Sequence, residues 1–364
     1  MKNIFITVTN DLETDQRMHK TAVNLNRNGY QVKLIGRRLK QSSSIRRPYS
    51  VKRFRFLINH GFCFYACYNL RLFFYLLVQK WDIVLSCDMD SLPAGFLAAR
   101  LRKRNVVFDS HELFSEVPEV VDRPFVQSVW RKLEGLFIPR INHAYTVSQS
   151  IADYYKNRYE TDFHVIRNLP SENRKMTSDV KVSKRHFVLY QGALNPYRGI
   201  DEIIEAMHYL PQLDLVIAGS GPLQEELIEK RNNLKYKNAI HFTGHLNFEK
   251  LASLTSQAWL GVSLEADKGL NYRYALPNKL FDYMQAGVPV LISNLPEMSR
   301  FVDETGIGWK ISSDATPEAL ANGINSIWDD VESYRRCEHN ANQAAKKYTW
   351  EQEALKQLEI FRAV

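Results

Sequence analysis

Residues 271–293 read NYRYALPNKLFDYMQAGVPVLIS, and this stretch decides the fold of the second half of the chain. Pro277 fits the first turn of a helix, because its missing N–H has no intrahelical partner there and its fixed φ suits a helix start. Apolar residues then recur at helical spacing, and Gly287 is the residue expected just past a helix end. Residues 288–292 form a short apolar run typical of a buried parallel strand. The stretch therefore predicts a helix that leads directly into a buried strand.

Short apolar runs alternate with helical patterns along the whole chain. Such alternation indicates parallel sheets covered by helices, and 364 residues are enough for two separate cores. We predict an α/β chain with two doubly wound, Rossmann-like domains at residues 1–170 and 186–347, joined by a polar linker at 171–185. The predicted strands are 4–8, 32–35, 83–86, 106–109, 144–147 and 164–166, then 187–191, 215–218, 240–243, 260–263 and 288–293.

Lys279 and Asp282 stand three residues apart near the start of the helix in 271–293, and therefore share one face. A cation and a carboxylate beside the positive end of a helix dipole can hold a phosphate and a neighbouring diol. The alternative is a plain surface ion pair between the two side chains.

The segment DYMQAGVPV at 282–290 resembles the C-terminal motif of retaining GT-B glycosyltransferases of the family 4 (group 1) type. That family has two carboxylates eight positions apart before such a strand entry. The resemblance implies that Asp282 binds the ribose hydroxyls of a sugar nucleotide. The first carboxylate, on the donor-sugar side, falls on Tyr274, which departs from the pattern. The resemblance also implies two domains that face each other across a cleft, a final helix at 348–364 that packs back on the first domain, and retention of anomeric configuration.

Residues 190–199 (YQGALNPYRG) follow the first predicted strand of the second domain. The glycosyltransferase family that this segment resembles has an arginine directly after the first glycine, which is Gly192 here. It has a lysine five positions after that arginine, and both side chains bind the diphosphate of the donor. This chain has Ala193 and Arg198 there. Because arginine can bind phosphate bidentately, Arg198 is the expected diphosphate ligand, with Lys279 as the second cation. A surface charge is the alternative for Arg198.

A second glycine-bearing turn, AGSGP at 218–222, follows the strand 215–218. Gly219 and Gly221 would let the backbone approach a donor nucleotide closely, although such a turn also occurs without a ligand. A dinucleotide fingerprint would need a glycine at the position of Gln224, which disfavours a dehydrogenase.

In the first half, His111 lies just past a predicted strand, where cleft residues belong. A lone histidine is often structural, but the family resembled here has a functional histidine in this loop, which implies a role on the donor-sugar side. Glu112 is expected either to orient the acceptor or to cap the next helix. Asn10 and Asp11, which follow the first strand, are further acceptor-side candidates.

Asp88 and Asp90 resemble a metal-binding Asp-x-Asp motif. Two carboxylates without a third ligand make a poor metal site, and GT-B enzymes generally need no metal. We expect no metal and no cofactor beyond a UDP- or GDP-linked sugar donor, with helix capping or acceptor contact as the role of the two aspartates.

The net charge of +8 is uneven, because residues 37–56 carry eight Lys/Arg and no acid. Such a segment suits nucleic acid or anionic lipid, and the lack of a nucleic-acid-binding motif favours the membrane surface. Residues 62–78 are strongly apolar but include Asn69 and Arg71, so we predict a core helix with part of its surface near a bilayer rather than a spanning helix.

The four cysteines show no metal-ligand or CxxC spacing, which favours a reducing, intracellular setting. The N-terminus has too short an apolar run for a signal peptide and is predicted as the first strand. We expect a cytoplasmic protein, peripheral on the inner face of the membrane.

The resulting hypothesis is a metal-independent, retaining glycosyltransferase that moves a sugar from a nucleotide sugar to a glycan or lipid-linked acceptor. Two alternatives stay open. One is a GT-B sugar-nucleotide epimerase, for which no acid/base constellation is evident. The other is a catalytically impaired sugar-nucleotide-binding protein, because Ala193 and Tyr274 replace functional groups of the family resembled here.

Overall fold

The computed structural model describes residues 1–13, 15–171 and 186–364. These form two compact units: unit 1 contains Met1–Asn168 and Glu353–Val364, and unit 2 contains Leu169–Gln352. The linker predicted at 171–185 lies, apart from residue 171, outside the described residues.

Unit 1 is built on a seven-stranded parallel sheet with the strand order β3-β2-β1-β4-β5-β6-β7. Helices connect these parallel strands, except that a loop joins β2 to β3. The strands are β1 (Asn3–Asp11), β2 (Gln31–Arg37), β3 (Ser50–Phe54), β4 (Ile83–Cys87), β5 (Asn105–Ser110), β6 (His143–Thr146) and β7 (His164–Val165). The helices are α1 (Gln16–Arg27), α2 (Gly61–Val78), α3 (Leu92–Arg102), α4 (Pro118–Val121), α5 (Pro124–Phe137) and α6 (Gln149–Tyr159).

Unit 2 is built on a six-stranded parallel sheet with the strand order β10-β9-β8-β11-β12-β13. The strands are β8 (Phe187–Gln191), β9 (Asp214–Ala218), β10 (Ile240–Gly244), β11 (Leu260–Ser263), β12 (Val290–Ser293) and β13 (Gly308–Ile311). The helices are α7 (Ile200–Ala206), α8 (Gln224–Asn232), α9 (Phe248–Thr255), α10 (Gly269–Arg273), α11 (Asn278–Gln285), α12 (Pro296–Thr305), α13 (Pro317–Asp329) and α14 (Val331–Lys347). The prediction of two doubly wound α/β halves is confirmed.

Every predicted strand is present, and two observed strands were missed. β3 pairs with β2 at the sheet edge, inside the basic segment 37–56, where no strand was predicted. The apolar-run criterion missed β3 because its residues alternate in exposure. An edge strand with cations on one side lacks a continuous apolar run. β13 is the opposite edge strand of unit 2 and is likewise only partly buried.

The segment 271–293 folds as predicted, with small shifts at two boundaries. Pro277 precedes α11 in an extended conformation rather than lying in its first turn, and β12 begins at Val290. Gly287 has the left-handed φ of +71° expected just past a helix end. Its N–H donates to the Met284 carbonyl and the Val288 N–H donates to the Tyr283 carbonyl, each at 3.0 Å. These two bonds satisfy carbonyls of the last turn and form a Schellman motif.

Helix α15 (Trp350–Ala363) connects the end of the chain to unit 1. The Gln357 amide accepts a hydrogen bond from Asn24 of α1 at 3.2 Å. It also donates to the hydroxyl oxygens of Thr21 and Tyr145, each at 3.2 Å. A buried amide with its donors and acceptor used in this way fixes the register of α15 on α1.

Helix α2 is anchored to unit 1 by a single stripe of side chains. Phe64, Tyr68, Leu72 and Leu76 recur every four residues and are all buried. They belong to a core cluster that also contains Phe54 and Trp81. This stripe packs the helix on the sheet, and the opposite face of the helix does not contribute to that packing.

Leu72→Ala should lower the free energy of unfolding of unit 1 by about 2–5 kcal/mol, because it removes fully buried methyl groups and leaves a cavity. Leu70→Ala, two residues away on the exposed face, should change it by less than about 0.5 kcal/mol. Urea unfolding followed by circular dichroism measures both. Equal losses would contradict the one-sided anchoring of α2.

Candidate functional site

Each sheet reverses its strand order once, and such a point creates a crevice at the carboxyl ends of the two flanking strands. In unit 1 the reversal lies between β1 and β4, and in unit 2 between β8 and β11. Most of the residues predicted to be functional cluster at these two points, and each cluster belongs to one unit.

In unit 2 the cluster centres on Glu265, which follows β11 and is fully buried. Its Oε1 lies 2.8 Å from Lys279 Nζ and 3.1 Å from an Arg198 guanidinium nitrogen. Ser263 Oγ donates to its other carboxylate oxygen at 2.7 Å. Gly199 explains the position of Arg198: it has a φ of +68°, and a side chain there would overlap Leu264. The loop after β8 is thereby pressed against the end of β11.

This cluster carries one net positive charge in a buried setting. Burial raises the pKa of the Glu265 carboxyl, but Lys279 and Arg198 outweigh burial and lower that pKa to about 2. Burial lowers the pKa of the Lys279 ammonium, and the neighbouring Arg198 adds to the effect. Among the residues that the structure describes, Glu265 is the ion-pair partner of Lys279 Nζ, and their contact at 2.8 Å is poorly aligned for a hydrogen bond. A buried ammonium with unused donors and excess positive charge is suited to an anion.

Two aromatic rings face the cations. Lys279 Nζ lies 4.3 Å from the centre of the Tyr190 ring, and the Arg198 guanidinium lies 4.5 Å from that of Tyr272. These cation–π contacts hold both side chains in place without consuming their hydrogen-bond donors. A pocket of about 410 Å³ adjoins Arg198 and is lined mainly by residues of the loops after β8, β11 and β13, with Ser293 at the end of β12. Its volume is in the range of small-molecule sites.

Asp282 is positioned by the end of β8. Gln191 Nε2 donates to Asp282 Oδ2 at 2.9 Å, and Thr255 Oγ1 donates to the Gln191 amide oxygen at 2.7 Å. Lys279 pairs with Glu265 rather than with Asp282, so the interpretation of 279 and 282 as a surface ion pair is wrong. Tyr274 lies half-buried just after α10, with its backbone N–H bonded to the Leu270 carbonyl at 3.0 Å.

The glycine turns of unit 2 pack against each other. A side chain at Gly219 would overlap the backbone of Gly192, and one at Gly221 would lie 2.6 Å from backbone atoms of Leu194. Leu194 N–H also donates to the Ser220 carbonyl at 3.0 Å. This contact is sufficient to explain why both residues are glycine, so donor binding by Gly192, Gly219 and Gly221 stays a prediction.

In unit 1, His111 is enclosed by two aspartates. Its Nε2 lies 2.9 Å from Asp109 Oδ2 and its Nδ1 lies 3.4 Å from Asp88 Oδ2. Its backbone N–H donates to Asp88 Oδ1 at 2.7 Å, and Arg17 pairs with Asp109 at 2.7 Å. Burial and Arg17 lower the pKa of His111, but the two carboxylates outweigh them and the net shift is upward.

Asp88 and Asp90 have different partners. Asp88 has a φ of +57°, a left-handed conformation that aspartate tolerates better than most residues, and this conformation turns its carboxylate toward His111. Asp90 accepts a short hydrogen bond from Thr9 Oγ1. Burial, and then the nearby Asp88, raise the pKa of Asp90 to about 7. An aspartate with this pKa holds or releases a proton near neutrality.

These groups border a pocket of about 430 Å³ in unit 1. Of the predicted acceptor-side residues, Asn10 and Glu112 line it together with His111. Asp11 is committed elsewhere: it pairs with Arg53 at 2.8 Å and accepts from the Leu39 N–H at 3.1 Å. Asp11 therefore fixes the basic segment rather than contributing to the wall of this pocket.

One group in the described part of the chain has metal-ligand distances: ligand atoms of Cys87, Asp109 and His111 lie within 4.8 Å of one another. Burial, Asp109 and Asp88 raise the pKa of the Cys87 thiol well above its usual value, and the absence of a metal stays a prediction. Asp109 is already used by Arg17 and His111. All four cysteines are free.

Several functional groups were missed by sequence reasoning. Glu265 had one usable signal, since it stands just past a predicted strand end in Ser-x-Glu. Asp109 and Arg17 lie 92 positions apart and carry no local sign that they pair. Tyr272 and the amide of Gln191 gave no signal of their roles.

Two family models match the chain: "Glycosyl transferases group 1" over residues 171–344 and "Glycosyltransferase Family 4" over residues 16–169. Together they span nearly the whole sequence. The chain belongs to the group 1 glycosyltransferases. Its two sheets are those of the GT-B architecture.

Relatives of this glycosyltransferase are distant in sequence. It is 23% identical over 261 residues to the chitobiosyldiphosphodolichol beta-mannosyltransferase of Candida albicans, a match that covers 63% of this chain and 56% of that protein. It is 26% identical over 185 residues to the glycogen synthase of Mycobacterium tuberculosis H37Rv, which covers 48% and 42% of the two chains. The transferase thus spans about half or less of the length of the curated relatives it matches.

Solved structures are similar to the transferase in fold. A sucrose-phosphate synthase from Thermosynechococcus elongatus superposes with a TM-score of 0.82 at 17% identity, covering 100% of this chain and 99% of that one. Anabaena Alr3699/HepE in complex with UDP-glucose gives a TM-score of 0.75 at 16% identity, with full coverage of both chains. At these identities the likeness establishes the fold.

Glu265→Gln should lower the free energy of unfolding of unit 2 by about 3–5 kcal/mol at pH 7, because it leaves the buried Lys279 and the partly exposed Arg198 without their shared counter-charge. The folded pKa of Glu265, about 2, is below its ordinary value of 4.5. Its stabilisation is therefore present above about pH 4.5 and is lost as the pH falls toward 2. Urea unfolding from pH 7 downward should show the two proteins converging.

Asp303→Asn, which breaks the exposed pair with Lys310, is the matched control and should cost less than about 1 kcal/mol. A Glu265→Gln protein as stable as wild type at pH 7 would contradict the buried ion pairs.

Asp88→Asn should lower the pKa of His111, because it removes one of the two carboxylates that favour the imidazolium. Histidine NMR titration measures that pKa directly. Asp82→Asn, which breaks an exposed pair with Arg104 in the same unit, should leave it unchanged. A His111 pKa that is insensitive to Asp88→Asn would exclude the proposed enclosure.

Proposed function

We propose that this glycosyltransferase moves a sugar from a UDP- or GDP-linked donor to a glycan or lipid-linked acceptor, without a metal ion and with retention of configuration. The observation that carries the proposal is the cluster of Arg198 with the buried Lys279 and Glu265, which has one excess positive charge and in which Arg198 lines a pocket of about 410 Å³.

The proposed reaction requires stabilisation of the leaving group. Breaking the anomeric C–O bond leaves negative charge on a diphosphate, which must be stabilised by fixed positive charge if no metal does so. Arg198 offers a planar, always-charged fork, and Lys279 has donors that Glu265 does not satisfy. Glu265 holds both cations in position before the donor arrives, so little reorganisation accompanies bond cleavage.

Asp282 is proposed to bind the ribose hydroxyls of the donor. Its carboxylate is oriented by Gln191, which Thr255 fixes in turn. A carboxylate accepts hydrogen bonds from two neighbouring hydroxyls well. Such a contact would hold the nucleoside and thereby place the diphosphate against Arg198 and Lys279.

The pocket of unit 1 is proposed to receive the acceptor. Asp90 and His111 offer proton-exchanging groups at its wall, and Asn10 and Glu112 add polar contacts. A hydroxyl that attacks a sugar must lose its proton, and a carboxylate with a pKa of about 7 is suited to accept one near neutral pH.

The similar proteins support these substrates by analogy. Alr3699/HepE structures hold UDP and UDP-glucose, and the Candida albicans relative is named for a dolichol-linked substrate. Retention is proposed from the resemblance of residues 282–290 to retaining enzymes. NMR of the anomeric centre of the product tests it, and an inverted product would refute retention without affecting the donor site.

A thermal-shift panel of UDP, GDP, ADP, CMP and their sugars should reveal one preferred donor, because a specific ligand raises the melting temperature by mass action. Asp282→Ala should weaken binding of that nucleotide by about tenfold or more in calorimetry, owing to the lost ribose hydrogen bonds. Asp303→Ala, an exposed aspartate of unit 2, is the control and should bind as wild type does. No response to any nucleotide would overturn the proposal.

Turnover separates the alternatives. Incubation of the preferred donor with a lipid-linked oligosaccharide pool should yield product, and Arg198→Ala should reduce the rate by about a hundredfold. Binding without turnover would favour the impaired binding protein. Conversion of the donor sugar without an acceptor would favour the epimerase.

A further inference from the structure

Helix α2 carries apolar side chains on two opposite faces. Its buried face anchors it to the core, as described above. The other face presents Phe62, Leu70, Phe74 and Val78, each more than half exposed. Cys63, Ala66 and Cys67 complete this exposed stripe, which contains no acid. A helix that is apolar all round is normally buried on all sides. The exposed stripe is therefore expected to be covered by a binding partner or a membrane.

Neighbouring segments extend the stripe. Helix α3 packs beside α2, where Arg102 donates to the Leu76 carbonyl at 2.9 Å, and it exposes Leu97 and Leu101. Leu57 and Ile58, just before α2, are also exposed. Single exposed apolar residues are ordinary, whereas a set on adjoining elements marks an interaction site. We call this set the α2–α3 face.

The charge around the α2–α3 face has one sign. No Asp or Glu occurs from residue 37 to 81 or from residue 91 to 108. Exposed cations lie at Lys80, Arg100 and Lys103, near the ends of the two helices. Apolar side chains bordered only by cations are the pattern of helices that lie on anionic lipid.

We propose that the α2–α3 face docks on the surface of an anionic membrane. By length and composition α2 is the helix of the described residues that could span a bilayer, with a mean hydropathy of 1.4. Its buried stripe and Asn69 argue against spanning. Asn69 donates to the Asp90 carbonyl at 2.7 Å and accepts from the Ala94 N–H at 3.1 Å. The helix therefore lies on the membrane while it stays part of unit 1.

Two cations of the basic segment 37–56 are used within unit 1. Arg53 pairs with Asp11, and Arg37 donates to the Asn59 carbonyl at 2.8 Å. Arg37 also stacks on the Phe64 ring. These cations fix the fold of unit 1 and are not the ones available to lipid headgroups.

Docking also has a consequence for the acceptor, and this step rests on the proposed function. His60, Gly61 and Phe64, at the start of α2, line the pocket of unit 1. The exposed Ile58 and Phe62 alternate with them in sequence. A lipid-linked acceptor held in the bilayer would thus meet the pocket at the membrane surface.

Flotation of the full chain with vesicles tests docking, in the absence of nucleotide sugar and acceptor. Wild type should bind vesicles of phosphatidylcholine with phosphatidylglycerol, bind pure phosphatidylcholine more weakly, and lose affinity as salt rises. The triple variant L70S/F74S/V78S should bind about a hundredfold more weakly. R100Q/K103Q should bind about 25-fold more weakly, at about fivefold for each cation.

Matched controls lie in unit 2. F248S/V331S removes equally exposed apolar groups and K235Q/K237Q removes exposed cations, and both should bind vesicles as wild type does. Because all the substituted residues are exposed, the melting temperatures should stay near that of wild type. Sedimentation of the free proteins shows whether the same face instead joins two copies of the chain.

Two results would overturn the proposal: absence of wild-type binding to anionic vesicles, or binding that L70S/F74S/V78S leaves intact. A wild-type dimer that this variant dissociates, without vesicle binding, would assign the face to a second copy. Nucleotide binding by the same variants, measured by thermal shift, keeps the two proposals separate, because loss of docking should leave it unchanged.

Discussion

Unit 2 depends on one buried carboxylate. Glu265 lies at the point where the sheet of unit 2 reverses its strand order, and it holds Arg198 and Lys279 from two different elements. Taking three charges out of water is costly unless they compensate one another. The cluster leaves one positive charge uncompensated, and a bound anion would neutralise it. The uncompensated charge thus lowers the stability of the free protein but would favour binding of an anion, as is common at functional sites.

Unit 1 also has a cluster of charged side chains at its reversal of strand order, but there the carboxylates outnumber the basic groups. Asp109 and Asp88 enclose His111, with Arg17 as the counter-charge, again at the reversal of strand order. Three carboxylates, counting Asp90, share this crevice with Arg17 and His111, and burial raises the pKa of Asp90. One unit therefore concentrates positive charge and the other concentrates proton-exchanging groups. That division suits the transfer proposed above, between a phosphorylated donor and a hydroxyl acceptor.

The sequence predicted what depends on local signals. The helix and strand in 271–293 follow from proline, glycine and periodicity, all of which act within a few residues. Glu265 escaped prediction as the partner of Arg198 and Lys279 because that pairing depends on strand order, which local patterns do not encode. β3 escaped because an edge strand needs no continuous apolar run. Asp11 was assigned to the acceptor from its place after the first predicted strand, 4–8, whereas in the structure it pairs with Arg53.

The contact between the two glycine turns of unit 2 has a mechanical consequence. Gly219 touches the backbone of Gly192 with no space between them, and Leu194 exchanges backbone hydrogen bonds with Ser220 and Leu223. Neither loop can shift without displacing the other, so they move as a single rigid piece. Any adjustment of the Arg198 loop on binding is thereby transmitted to the start of α8, more than twenty residues further along the chain.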